Sequence, residues 1–507
     1  MLIGIIMQKS VIPSIVQVIS KSANLKDIKC FLVGGAVRDI LMNRKISDID
    51  IVIDTDPYDF TEYLAHVLGG TPVVLDESRS KICRLVGIEN TFHCENIFSK
   101  KIDLDIKQID QSIKNDLLNR DFTIDAIAID LNTHDQDLKL IDFSDGHSDL
   151  LNKKIRMLNE NVFASDPLRL IRAIRLSADL NFSIDIETQN QITKDSVLIN
   201  NVSIERVRDE LMKILLNTKS KNYLRKLDEL NLLDKIFSEL SRLKNLSQPA
   251  EHYWDVFDHS IESVGYIDEL FYGSEVKIGK QFSNIEGIID QFRNYRESDQ
   301  PDDQNKFVLL KLATLLHDVG KYITRSVDAN GRIRFLGHSE AGAKISDLIL
   351  TNLRMPKKSI NLVNILVENH LRPGQLSFKN QFPTSRALYR YYRDLEEHSI
   401  PLIILYMADV LAAAGPMLSQ NEWKNTLSHA NHIIGYHTAS SEQNRFNTLL
   451  TGHEIMSTFG LKSGKIVGDL LEKVNESQAL GQLGSKQDAL DMLACLLASG
   501  EDFAKEY

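Results

Sequence analysis

Cysteine is scarce in this chain. Cys30, Cys83, Cys94 and Cys495 are the only four among 507 residues, and no pair has CxxC spacing. That scatter excludes a zinc ribbon or a disulfide framework and fits a reducing cytoplasm. Long apolar runs are also missing: none reaches the roughly 18 residues that span a bilayer. The N-terminal MLIGIIMQKSVIPSIVQVIS is apolar, but no basic segment precedes it and no small-residue cleavage site follows. It reads as an amphipathic lead-in helix (1–21), with Met7 as an alternative start, rather than a signal peptide. Basic charge is not in excess either. Lys and Arg number 59 against 70 Asp and Glu, for a net charge of −11. A wholly basic, histone-like nucleic-acid binder is thereby excluded, whereas a local basic groove is not. There is no internal repeat and no long low-complexity tract.

What remains is an ordinary globular composition, 43% hydrophobic and 25% charged. The length exceeds one core; at roughly 150 residues per domain it predicts three to four. Up to about residue 155 the chain mixes short β-rich runs with helical patterns. KCFLVGG and SDIDIVID each read as a strand followed by turn chemistry, and RDFTIDAIAIDL as a third strand region. From Val162 onward almost every segment has a helical period, as in DPLRLIRAIRLSADL and SIERVRDELMKILL. Breaks fall at 246–253 and 273–287, and polar runs at 296–306 and 437–447. The expected fold is α+β, a small α/β head followed by an all-helical body. Its expected segments are 1–21, 22–155, 156–245, 246–430 and 431–507.

The most informative segment runs from Phe31 to Asp39, FLVGGAVRD, and continues in SDIDIVI from Ser47 to Ile53. A strand ending at Gly34-Gly35 lets a ligand approach the backbone. The helix beginning near Ala36 offers free N–H groups to a phosphate, and Arg38 adds a charged donor. Asp48 and Asp50 are two apart on a strand and point to one face, with Ile49, Ile51 and Ile53 on the other. Two such carboxylates can hold Mg²⁺ beside a nucleotide, activate a hydroxyl and stabilise leaving pyrophosphate. A lone GG is usually a turn and a lone DxD usually a polar strand face; their coupling is far more specific.

Together these motifs resemble the head-domain signature of the class II tRNA nucleotidyltransferase and bacterial poly(A) polymerase family. Further motifs follow in the family's order. Asp116 to Ala126, DLLNRDFTIDA, resembles the motif that contacts the incoming ribose and phosphates. Asp142-Phe-Ser-Asp-Gly146 with Asp149 and Arg156 resembles the hinge between head and neck. Ser165-Asp-Pro-Leu-Arg169 resembles the amino-acid template that pairs with the base of CTP or ATP. Ser203-Ile-Glu-Arg206 with Glu210 resembles the last neck motif.

The resemblance implies catalysis with Mg²⁺ at Asp48 and Asp50, and nucleotide binding by Gly34, Gly35, Arg38, Arg120, Asp121, Asp166, Arg169 and Arg172. Asp166 and Arg169, three apart, would share one helix face and read a Watson–Crick edge; Asp166 could equally cap a helix that starts at Pro167. Implied partners are the tRNA 3′ end, CTP and ATP, with neither DNA nor membrane. Asn119, Asp125 and Ser165 depart from the family's usual Arg, Asn and Glu. Asp103 and Asp105 are candidates for a third metal-side carboxylate. The stretch from Asp105 to Asp116 is short where the family carries a flexible loop associated with the switch from C to A addition. Complete CCA addition therefore has three alternatives: CC alone, A alone, or poly(A).

The helical body carries a second constellation. His259 follows WDVFD; the apolar FVLLKLATLL ends in His317-Asp318-Val-Gly-Lys321; then come His338, His370 and Asp409. A His–Asp pair at the end of a buried helix needs a partner, and a divalent metal supplies one. The order H…HD…H…H…D resembles the HD phosphohydrolase superfamily. The resemblance implies His259, His317, Asp318 and Asp409 as metal ligands, with His338 and His370 extending the site, and Lys321 as a phosphate contact. A mixed N/O set suits Mn, Ni, Co or Fe. The implied chemistry is phosphoester hydrolysis at RNA ends. In the tail, Lys462 and Lys465 could face RNA backbone, while Gly460 and Gly464 could equally be helix caps.

Overall fold

The computed structural model describes residues 6–8, 12–76, 81–89, 98–132, 137–272, 289–290, 305–376, 382–443 and 448–499. The sequence features at 273–287, at 296–304 and at 444–447, and Cys94, lie outside them. The chain divides into two compact units: Met1–Asn217 with Tyr223–Ile236, and Thr218–Asn222 with Phe237–Tyr507.

The first unit is built on a mixed eight-stranded sheet. Its strands are β1 (Ile6–Gln8), β2 (Cys30–Val33), β3 (Ile46–Ile53), β4 (Thr71–Asp76), β5 (Ile82–Glu89), β6 (Phe98–Gln108), β7 (Ile127–Asp130) and β8 (Asp137–Asp142). Their order is β1-β8-β7-β2-β3-β6-β5-β4. Every residue of β2 is buried, as expected for a central strand with covered faces. β3 is antiparallel to β2 and parallel to β6. Helices α1 (Ser14–Leu25), α2 (Gly35–Leu41) and α3 (Pro57–Leu68) belong to the same unit.

The lead-in segment corrects one expectation. It is not one helix: Ile6–Gln8 pairs with β8, and the helix begins only at Ser14, after Pro13. Proline lacks the N–H a continuing helix needs, so the helix starts just beyond it and the upstream Ile-rich residues are available to a strand.

Between β6 and helix α4 (Ile113–Leu118), residues 109–112 alone make the connection. The hinge motif is tightly packed. Asp142 accepts hydrogen bonds from the backbone N–H of Ser144, Gly146 and His147, and Asp149 accepts from the Thr123 hydroxyl at 2.7 Å. A Cβ on Gly146, which opens α5 (Gly146–Leu151), would stand 2.0 Å from the Thr123 carbonyl oxygen, so only glycine fits there.

Helices α6 (Val162–Ser165), α7 (Arg169–Leu180), α8 (Ile186–Asp195) and α9 (Ile204–Leu216) complete the part of this unit that carries the template motif. Asp166 is not on a helix face with Arg169. It sits between α6 and α7 in extended conformation (φ −148°, ψ 99°). The cause is the next residue: Pro167 sterically disfavours the helical region for whatever precedes it.

The second unit is helical. Helices Val256–Tyr272, Lys306–Leu316, His338–Asn352, Lys357–Asn369 and Ser399–Ala414 carry or adjoin the histidine-aspartate residues. The helical stretch Ser385–Met417 is long and apolar enough to cross a membrane by length and composition, yet 61% of its most apolar window is buried. Leu402, Ile403, Leu405, Ala408 and Ala412 are core residues there. Under that core, Lys311 is fully buried and pairs with Asp268 at 2.5 Å, while Asp268 also accepts from the backbone and hydroxyl of Ser220. The tail has a smaller core of its own, centred on Leu450, Ile455, Leu470, Val474 and Leu493. Gly460 closes helix Gly452–Phe459 in left-handed conformation, and Gly464 precedes helix Lys465–Ala479; Lys462 and Lys465 are exposed.

Candidate active sites

The first site lies on β3 and its neighbours. Asp48 and Asp50 share one strand face, and Ile49, Ile51 and Ile53 are buried on the other. The parallel register sets Asp103 of β6 opposite Asp48 and Asp105 opposite Asp50, which brings four carboxylates onto adjacent strands. One of them is already engaged. Arg84, on β5 opposite Asp105, donates to both its oxygens at 2.6 and 2.7 Å. Sequence reasoning missed Arg84 because only the β5–β6 register brings it there.

Gly34 sits against this face. With φ +74°, a Cβ there would lie 2.9 Å from Asp50 Oδ2 and 2.6 Å from Arg120 Nη1. The missing side chain is what lets Asp50, Arg120 and the β2–α2 turn converge. Arg120 is held by Asp116, whose Oδ2 accepts from Nη2 at 3.0 Å while its Oδ1 pairs with Lys107 at 3.1 Å. Burial pushes the Asp50 carboxyl up to about 6, helped by the charges of Asp105, Asp48 and Asp125 and opposed by Arg120. Two outcomes are expected. Gly34→Ala should cost about 100-fold in the chemistry of this site through displacement of Asp50 and Arg120, read from initial rates with circular dichroism confirming the fold. At limiting Mg²⁺ the rate should fall as pH drops through about 6, because a protonated Asp50 is no ligand. Added Mg²⁺ competes with that proton, so the acid limb should move to lower pH.

The other residues expected at this site have defined partners. Arg38 donates to Asp125 Oδ1 at 2.7 Å and spans Asp39 at 3.0 and 3.1 Å, so its fork is occupied by two carboxylates. Asp125, where the family pattern has Asn, supplies one of them. Asp121 pairs with Arg172 at 2.8 Å. Asp166 accepts a backbone N–H from Leu168 and is paired with Arg206 at 3.1 Å. Arg169 donates to the Ser165 hydroxyl at 3.0 Å and to the Asn119 carbonyl at 3.0 Å. Gly35 opens α2, and a Cβ there would lie 3.3 Å from Arg38 Nη2.

The second site lies in the helical unit. Among the described residues, two groups can hold a metal ion: His259, His317 and Asp409, and Asp318, His338 and His370. Within each group the ligand atoms lie within 4.8 Å of one another. Asp318 faces both. Its Oδ2 is 3.2 Å from His317 Nε2 and 3.5 Å from His259 Nε2; its Oδ1 is 3.5 Å from His338 Nε2 and 3.9 Å from His370 Nε2. Asp409 Oδ1 lies 2.9 Å from His259 Nε2.

The orientation of the rings is set from outside. Nδ1 of His317, His338 and His370 each lies 2.6–2.7 Å from a carbonyl, of Thr314, Phe335 and Val367. Each Nδ1–H donates outward, leaving the Nε2 lone pair facing inward, the pattern of metal-binding imidazoles. Four Nε2 atoms and two carboxylates converge, so this donor set fits one or two divalent ions. Asp318 and Asp409 outweigh the effect of burial and hold the His317 imidazole up to about 10, and burial with the charge of His317 presses His370 down to about 3. A metal replaces protons in such a set.

Two residues absent from the sequence reading, His252 and Gln248, join this centre. His252 packs edge-on to His259 with centroids 5.6 Å apart, and burial, then Lys321 and His259, holds it near 4. Lys321 pairs with Asp318 at 2.6 Å and donates to Gln248 Oε1 at 2.7 Å. Gln248 and His252 lie in the segment read as an interdomain break (246–253), where spacing carries no signal.

Comparison with known proteins agrees with this geometry. The family model "Poly A polymerase head domain" matches residues 30–156, "Probable RNA and SrmB- binding site of polymerase A" matches 181–244, and "HD domain" matches 256–414. An A-adding tRNA nucleotidyltransferase of Deinococcus radiodurans is 30% identical over 90% of this chain and 93% of its own. A CC-adding tRNA nucleotidyltransferase of Thermus thermophilus is 28% identical over 90% and 92%. Among solved structures, a Thermotoga maritima CCA-adding enzyme complexed with tRNA shares the fold, with a TM-score of 0.62 at 21% identity over 98% of this chain and 100% of that one.

Proposed function

Because the chain belongs to the tRNA nucleotidyltransferase family, we propose that its β3 site adds all or part of CCA to tRNA 3′ ends from CTP and ATP, without a nucleic-acid template. The observation that carries this reading is the convergence of Asp50, Arg120 and the Gly34 turn beside Asp48. Asp48 and Asp50 would hold Mg²⁺, which would supply activation of the terminal 3′-hydroxyl and neutralise charge on the departing pyrophosphate. The chain's own residues do the placing. The Gly34-Gly35 backbone lets the triphosphate approach, with Arg38 as a further contact once released from Asp39 and Asp125. Arg120, fixed by Asp116, faces the phosphates, and the Asp121–Arg172 pair fixes the floor under the sugar. Asp166 and Arg169 select the base, held in place by Arg206 and Ser165.

The short 109–112 connection favours partial addition, CC or A alone. The relatives that match about nine-tenths of the chain, one A-adding and three CC-adding, support it. Incorporation of labelled CTP and ATP into tRNA transcripts ending before CCA and after CC separates these cases. C addition stopping after two residues identifies a CC-adding enzyme, and A addition only after CC an A-adding one. Completion to CCA would show that the short connection suffices.

We assign the helical site a phosphohydrolase activity on RNA ends, with Mn, Ni, Co or Fe as the ion. His259, His317 and Asp409 would hold one ion and Asp318, His338 and His370 a second, which supplies an activated water for attack on phosphorus. Lys321 stands beside Asp318 to meet a phosphate oxygen. The scattered cysteines support a cytoplasmic location.

A further inference from the structure

The segment from Leu246 to Trp254, which leads into helix Val256–Tyr272, is held as a strap beside the histidine-aspartate centre. Its ties are specific. The Val256 N–H donates to the Leu246 carbonyl at 3.2 Å and the Tyr253 N–H to the Ala413 carbonyl at 2.8 Å, one helical turn beyond Asp409. Gln248 donates to the Trp254 carbonyl at 3.2 Å and accepts from Lys321. Gly415 lies under the aromatic pair, where a Cβ would meet Trp254 Nε1 at 3.0 Å.

On this strap two neighbouring residues differ. His252 turns inward against the ligand His259, whereas Tyr253 is 53% exposed and braced edge-on by Trp254, with centroids 4.7 Å apart. A single exposed tyrosine is ordinary on a protein surface. One fixed by a backbone bond and a second ring, next in sequence to a residue touching a metal ligand, has the form of a stacking platform.

We propose that Tyr253 stacks on the nucleobase next to the phosphoester presented to the histidine-aspartate centre. That stack makes the centre favour nucleoside-bearing phosphoesters over simple phosphates. This rests on the phosphohydrolase reading of the same centre and adds the residue that sets its preference. Gln248 acts as a positioning residue that keeps Lys321 beside Asp318.

The test uses the full chain loaded with Mn²⁺ and follows tryptophan fluorescence during titration with adenosine 3′-monophosphate and, separately, with inorganic phosphate. The expected result is tighter binding of the nucleotide. Tyr253→Ala should weaken the nucleotide about 5- to 50-fold and leave phosphate unchanged, and Tyr253→Phe should retain wild-type binding. The nucleotide signal should vanish in Trp254→Phe, which separates it from binding in the head. Equal effects on both ligands, no effect of Tyr253→Ala, or a wild type that binds nucleotide no better than phosphate overturns the platform. Selective nucleotide binding without hydrolysis of adenosine 2′,3′-cyclic phosphate leaves the platform standing and removes the hydrolase reading.

Discussion

Asp50→Asn is expected to lower nucleotide addition by at least about 1,000-fold while phosphoester hydrolysis by the helical unit continues at its normal rate. The size follows from what is lost. A metal ion contributes several kcal/mol of charge stabilisation at the reacting phosphate, and about 1.4 kcal/mol is a tenfold rate change. Asn keeps the shape of the side chain but supplies no charge, and Asp105 cannot substitute because Arg84 already holds both its oxygens. Stability should change little or rise slightly. Asp50 is half-buried and pushed up to about 6, so its charge is disfavoured in the folded state: stability is lost as pH rises from the ordinary carboxylate range to about 6 and levels off above it. A neutral residue escapes this cost. Rates of CTP incorporation into tRNA lacking CCA and of ATP incorporation into tRNA ending in CC, with cyclic-nucleotide hydrolysis on the same preparation, check both halves.

Asp318→Asn should have the reciprocal outcome. Its carboxylate addresses His259 and His317 through one oxygen and His338 and His370 through the other. The change therefore weakens both groups at once. Loss of residues that merely support ligands costs about 10- to 100-fold in metal affinity, so loss of this shared carboxylate should exceed about 100-fold. Hydrolysis should disappear with it, and Lys321 loses its buried counter-charge. Metal content after gel filtration, measured by mass spectrometry, should fall to background while nucleotide addition to tRNA persists. Retained metal with lost hydrolysis would instead make Asp318 a catalytic group rather than a ligand.

These two sites were legible in the sequence to different depths. GG-x-x-RD with DID is short-range: a turn glycine and a two-residue strand repeat fix which side chains share a face before any tertiary contact forms. That six histidine and aspartate residues gather in the helical unit was legible from their chemistry and order, because such groups at buried helix ends need a partner. Register was not legible. Nothing in FSKKIDLDIKQ says that it lies parallel to β3, and that register alone brings Asp103 and Asp105 beside Asp48 and Asp50. Arg84 is hidden for the same reason. Helical spacing misplaced Asp166 because the rule of three assumes a continuous helix, and Pro167 breaks that assumption. At the N-terminus, apolar content could not distinguish strand from helix. Gln248 and His252 sit in an irregular strap whose position depends on bonds to Trp254, Lys321 and Ala413.

The most direct test of the central claim is product length on a tRNA transcript lacking CCA, supplied with CTP and ATP and no template, beside an unrelated RNA of similar size. The account predicts growth of the tRNA by one to three residues (as many as its class adds) followed by arrest, with the unrelated RNA untouched. Long adenosine tails on both RNAs, or no growth of a tRNA ending before CCA or after CC, would contradict it.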